Sequence, residues 1–127
     1  MEGSIIGVLV WLQVKHFFAD YLLQSPWMIS GKGHFGRPGG YAHAAIHIIG
    51  TAPALVYAGL GGGLTALILA GEFVIHFAID HLKALESRAR PESPNSARFW
   101  ATHGADQLAH HLTYAAILFV TMRAMPG

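Results

Sequence analysis

Four long apolar stretches take up most of this chain, at about residues 4–24, 41–60, 64–86 and 99–122. A helix rises about 1.5 Å per residue, so roughly 20 residues match the ~30 Å hydrocarbon core of a bilayer. The separators break helices. Ser25-Pro26 ends the first stretch and is followed by SGKGHFGRPGG, read as a Gly-rich loop from Ser30 to Gly40. Gly61-Gly62-Gly63 closes the second, and PESPN (Pro91 to Asn95) follows the third, whose helix is expected to run on toward Arg90. Proline lacks the N–H a helix needs and pushes the preceding residue out of helical geometry, while clustered glycine lowers the cost of turning.

Composition agrees with a membrane solution. Hydrophobic residues make up 53% of the 127 and charged residues only 12%, against ~25% charged in ordinary soluble domains. Mean hydropathy is +0.41. The apolar content excludes disorder. The absence of Cys excludes disulfides, thiolate zinc sites and Cys nucleophiles. A net charge of +1 gives no case for a nucleic-acid partner. No stretch has the charged outer face of a water-exposed helix, which argues against a soluble bundle. The start lacks a basic segment and a small-residue cleavage pattern, which argues against a cleaved signal peptide.

Basic residues set the expected direction. Lys32, Arg37, Lys83, Arg88, Arg90 and Arg98 lie in or beside the first and third loops, whereas Arg123 is alone on the side of the termini and the Gly61–Gly63 turn. The positive-inside rule then places the first and third loops in the cytoplasm and both termini outside.

Against this scarcity of charge stand nine His, more than the seven Asp and Glu together. Each stretch carries an i, i+4 polar pair, which one helical turn stacks on a single face. The pairs are His16 and Asp20, His43 and His47, His76 and Asp80, and Asp106 and His110. With the expected alternation of direction, all four fall at one depth, near the cytoplasmic face. The pattern is also duplicated. His16-Phe17-x-x-Asp20-x-Leu22 returns 60 residues later as His76-Phe77-x-x-Asp80-x-Leu82, and His43-x3-His47 returns 63 residues later as Asp106-x3-His110. The expected architecture is therefore all-α: a single polytopic membrane domain over residues 1–127, a four-transmembrane-helix bundle built from two duplicated hairpins about a pseudo-twofold axis along the membrane normal.

Imidazole and carboxylate on facing helices are ligands for first-row divalent metals. His16, Asp20, His43, His47, His76, Asp80, Asp106 and His110 are the candidate ligands. They exceed what one tetrahedral ion needs and suggest two ions, Zn, Mn or Fe, with Asp80 or Asp20 bridging. His43 is the weakest of them, being nearest the interface. Gln13, Gln24, Gln107, Thr113, Tyr114 and His111 are candidates for orienting the ligands from behind. His81 is expected to be supporting or interfacial, His34 and His103 to be surface residues, and Trp27 and Trp100 to anchor at the interface. Glu72 lies one turn before His76 at mid-bilayer depth, where a lone carboxylate is costly. It is either a general base or acid above the metals or the ion-pair partner of Lys15. Lys32, Arg37 and Lys83 are candidates for holding an anionic headgroup.

The blocks HFFADYLLQ (His16 to Gln24) with Trp27-Met28 and Lys32, then His43 and His47, HFAIDHLK (His76 to Lys83) and DQLAHHL (Asp106 to Leu112) resemble the domain of unknown function 3307 family of small bacterial and phage membrane proteins. The resemblance covers most of the chain and implies that these blocks belong together in a bacterial inner membrane. It supplies no activity.

The expected function is a membrane-embedded metal-dependent hydrolase of a lipid-linked ester or phosphate, with membrane lipids as partners and a homo-oligomer as an option. The alternatives are a divalent-metal or proton transporter, disfavoured by the apolar outer halves GVLVWL (Gly7 to Leu12) and AAILFV (Ala115 to Val120), and a membrane di-iron oxidase, for which the His fragments are too few. Haem ligation fits poorly beside so many Asp.

Overall fold

The computed structural model describes residues 2–126. All regular structure among them is helical, in five helices. The first, α1 (Glu2–Phe17), continues without a break into a π-helical turn over Phe18–Leu22, closed by the Leu23 N–H on the Phe18 carbonyl at 2.8 Å. A short helix follows, α2 (Pro26–Gly31), with Pro at its first turn and the Ser25 hydroxyl accepting from the Met28 N–H. This is the N-terminal chemistry a helix requires. The long helices α3 (Gly39–Tyr57), α4 (Gly62–Ala89) and α5 (Ala97–Ala124) complete the chain, with Ser96 capping α5 through the Phe99 N–H.

These bounds lie within about three residues of the apolar stretches. The Gly-rich segment is shorter as a loop than expected, because α2 ends at Gly31 and α3 begins at Gly39. The reason is close backbone contact. A Cβ on Gly31 would lie 2.8 Å from the Gly39 Cα, and one on Gly39 would lie 2.5 Å from the Trp27 carbonyl oxygen. Glycine here lets α2 lie directly on the first turn of α3. Gly33, at φ +78°, makes the turn between them in a left-handed conformation that disfavours side chains.

Helix α3 packs on α1, α2 and α4, while α5 packs on α4 and α1, so the four long helices close a ring. The interior is divided along its length. Toward the termini it is apolar: Val8, Leu12, Leu55, Ala58 and Ile117 form a buried cluster. Toward the α1–α3 and α4–α5 connections it is polar, with His16, His43, His47, His76, Asp80 and His110 all buried. The outer surface is the reverse. Ile49, Val56, Leu67, Val74, Leu108 and Phe119 are each more than half exposed. Two helical segments, Gly3–Leu22 and Gly62–Ala89, are long and apolar enough to cross a membrane.

Candidate metal centre

Each helix of the ring sends its i, i+4 pair to the same place. The end of α1 and its π turn supply His16 and Asp20, α3 supplies His43 and His47, α4 supplies His76 and Asp80, and α5 supplies Asp106 and His110. Two sets of donor atoms converge closely enough to hold a metal ion: Asp20, His43, His47 and His76, and His76, Asp80 and His110. Within each set the candidate ligand atoms all lie within 4.8 Å of one another, and His76 belongs to both. Individual separations are shorter. His76 Nε2 is 3.1 Å from Asp80 Oδ2, His110 Nε2 is 3.5 Å from Asp80 Oδ1, and His43 Nε2 is 3.1 Å from Asp20 Oδ1. Ligands held ~2.0–2.1 Å from a tetrahedral ion are about 3.3 Å apart, and these three separations are of that order.

The two sets differ in what already occupies their donor atoms. Lys15 Nζ lies 3.1 Å from His47 Nδ1 and donates to the His47 carbonyl at 3.3 Å. An ammonium has only hydrogens to offer, so His47 Nδ1 accepts, and the ring proton sits on Nε2, which donates to Asp20 Oδ1 at 2.8 Å. His47 and Asp20 therefore satisfy each other. In the second set His76 Nε2, Asp80 Oδ2 and His110 Nε2 are buried and make no well-formed hydrogen bond, nor does His43 Nε2 beside them, although His76 and Lys32 approach Asp80 Oδ2 to 3.1 and 3.2 Å and His43 approaches Asp20 Oδ1 to 3.1 Å. Buried polar atoms are normally paired, because an unmade bond costs about 1–3 kcal/mol. The three of them that belong to one convergent set, on His76, Asp80 and His110, are the arrangement that could hold a cation.

The other two candidate ligands lie outside both sets. His16 has both nitrogens engaged: Nε2–H donates to Gln107 Oε1 at 2.8 Å, and Nδ1 accepts from the Tyr114 hydroxyl at 2.7 Å. The Gln107 amide is oriented by its Nε2 donating to Asp106 Oδ2 at 3.0 Å. Asp106 sits behind His110, its backbone carbonyl accepting from His110 Nδ1 at 2.8 Å. Such a bond leaves Nε2 free to face an ion, which is how metal-ligating histidines are usually held.

Glu72 is ion-paired with Lys15, Oε1 to Nζ at 2.8 Å, with side chains only 1% and 5% exposed. Thr51 donates to the same oxygen at 2.9 Å. Of the two roles read from the sequence, this geometry matches the Lys15 partner. Thr51 was missed, although it continues the i, i+4 stripe of His43 and His47 by one turn. Among the supporting residues, Gln24 donates to the Asp20 carbonyl, His111 is exposed with its ring 5.3 Å from that of His16, and Gln13 is half-buried away from these contacts. Thr113 turns back to the Ala109 carbonyl. His81 stacks on Phe35 with ring centroids 4.2 Å apart.

A cavity of about 430 Å³ reaches the centre from the connection end, lined by Asp20, Asp80 and Asp106 and by Lys32, Lys83 and Arg88. Lys32 Nζ is 3.2 Å from Asp80 Oδ2. Lys83 Nζ is 3.7 Å from Asp106 Oδ2 and 3.3 Å from His103 Nδ1, which brings His103 to the cavity wall. Arg37 is exposed, away from this wall, and donates to the Ser30 carbonyl. Arg88 lines the wall, donating to the Lys32 and Gly33 carbonyls at 3.0 and 2.9 Å and so tying the loop that carries Lys32 to α4. Nothing local in the sequence marks Arg88 for this, because its acceptors belong to a distant loop.

The family described as Protein of unknown function (DUF3307) matches residues 8–126. Neither a curated protein nor a solved structure matches the chain.

Proposed function

The chain belongs to the DUF3307 family, and we propose that it is an integral membrane metalloprotein whose four long helices span the bilayer around an intramembrane His/Asp centre. The observation that carries this reading is the convergence of buried donor atoms on His76, Asp80 and His110 within 4.8 Å of one another. These three form the primary site, with His43 as the nearest additional donor. Asp20 and His47 border a second position that fills only if their mutual hydrogen bond opens. The membrane reading is supported by the inverted surface, apolar outside and polar within, since hydrocarbon accepts the former and forbids the latter at a lipid-facing position.

The reaction this centre suits best is hydrolysis of an ester or phosphate on a membrane lipid. A bound divalent ion supplies Lewis acidity and lowers the pKa of water. The chain supplies the rest: Lys32 and Lys83 beside the centre attract an anionic group. A transport role is opposed by the apolar cluster of Val8, Leu12, Leu55 and Ile117, which closes the ring beyond the centre.

Metal analysis of detergent-purified protein tests the reading directly. Stoichiometric transition metal is expected in the wild type, with loss in His76→Ala, Asp80→Ala and His110→Ala but retention in His16→Ala. Wild-type protein that takes up no transition metal after dialysis against Zn, Mn or Fe(II) overturns it. Zero metal flux into sealed proteoliposomes separates the enzyme from the transporter.

A further inference from the structure

On the outer face of the ring, α4 and α5 leave a groove of about 480 Å³. Its floor is the alanine series Ala101, Ala105 and Ala109, and its far wall is Ile79 and Leu82. Large side chains protrude elsewhere on these helices, as at Val74, Leu108 and Leu112. The groove is lined by these apolar side chains together with Glu86 and Thr102, and by the pair Lys83 and Asp106. The same two residues line the polar cavity on the inner side. This pair is common to the walls of the outer groove and of the cavity that leads to the candidate metal centre.

The pair is a loose partition. Lys83 Nζ and Asp106 Oδ2 are 3.7 Å apart, beyond hydrogen-bond length, and the Lys83 side chain is 33% exposed. The Asp106 side chain is 5% exposed, and its Oδ1 is buried with no partner. A carboxylate oxygen left bare between an apolar groove and a polar cavity lacks a donor that a passing ligand can provide. The levels also agree. The groove spans residues 79–86 and 101–109, the same turns that carry Asp80 and Asp106. A chain lying in the groove thus has its polar end beside the centre.

We propose that this groove holds the hydrocarbon chain of a membrane amphiphile with a phosphate-bearing head, and that the head reaches the centre sideways between Lys83 and Asp106. The proposal rests on the membrane reading above and gives its substrate class: a lipid phosphate admitted from the bilayer rather than a soluble phosphoester admitted from water. Lys83 pairs with the phosphate, and Asp106 accepts from a P–OH or neighbouring hydroxyl. The small side chains at 101, 105 and 109 leave room for the chain.

Photolabelling tests this with the full chain in phosphatidylcholine nanodiscs. The probe is phosphatidic acid carrying a diazirine at the end of one acyl chain, compared with diacylglycerol carrying the same chain. Label is expected on peptides containing Ile79, Ala105 and Ala109, in excess of that on the faces of Leu67 and Phe119. Ala105→Phe fills the groove and is expected to cut groove labelling about tenfold, as overfilled contacts do. Ala116→Phe, exposed elsewhere on α5, is expected to leave it unchanged. Lys83→Gln is expected to abolish the preference for phosphatidic acid over diacylglycerol while chain labelling persists. Even labelling around the ring, or groove labelling undiminished by Ala105→Phe, overturns the proposal. Metal content measured on the same samples keeps the two readings apart: a labelled groove without metal removes the centre and leaves the groove, and metal without groove labelling does the opposite.

Discussion

His76 is a buried imidazole common to both sets of candidate ligands, its Nε2 3.1 Å from Asp80 Oδ2 without a well-formed hydrogen bond. His47, its neighbour with ring centroids 3.9 Å away, is held by hydrogen bonds on both nitrogens. Two histidines of the same type at the same depth thus differ in what they can still bind, and the difference is set by Lys15. The i, i+4 pairs were legible in the sequence because one helical turn is local geometry. The partner of Glu72 was legible only as one of two options, because the Lys15 ammonium reaches it from another helix. That pairing gives a quantitative expectation. Lys15→Met leaves the Glu72 carboxylate buried and unpaired and should cost about 3–5 kcal/mol, whereas Lys15→Met with Glu72→Met should recover most of it. Unfolding of the four members of this cycle in mixed detergent measures the coupling, and an additive double variant would contradict the ion pair.

The helices show how far pattern alone reaches. Pro91 follows the end of α4 where expected, but the second stretch ends earlier than the Gly61–Gly63 run, at Tyr57, because Gly59 at φ +81° makes the turn, and Gly62 and Gly63 open α4; the first ends at Leu22, and Pro26 opens α2. The short α2 escaped notice because its six residues, PWMISG, are too few for a periodic signal. The π turn over Phe18–Leu22 has no sequence mark of its own, yet it contains Asp20 and sets the angle at which that carboxylate meets His43 and His47. The close contact of α2 with α3 predicts unequal glycines. Gly39→Ala should destabilise by about 1–3 kcal/mol, because the added methyl meets backbone that has nowhere to go. Gly61→Ala, with nothing within 4 Å of its Cβ position, should change little. Thermal unfolding in detergent distinguishes the two. Ser96→Ala should cost about 1 kcal/mol through loss of the α5 cap.

For the molecule as a whole, the proposed spanning arrangement places both long connections on one side. The natural absence of Cys makes this simple to test. Single changes Gly36→Cys and Ser93→Cys should react with a membrane-impermeant maleimide from the cytoplasmic side, and Gly61→Cys only from the opposite side. Reaction of Gly36→Cys and Gly61→Cys from the same side would rule out the arrangement. By itself the sequence determined the helical class, the approximate bounds of the four long helices and the identity of the polar stripes, because hydropathy, chain breakers and one-turn spacing are properties of neighbouring residues. Tertiary structure alone decided which of eight candidate ligands converge, which donor atoms make no well-formed hydrogen bond, that Arg88 rather than Arg37 lines the cavity, and that Lys83 and Asp106 are common to the walls of groove and cavity. Those outcomes depend on distances between helices far apart in the chain, set by how the ring closes around a divided interior.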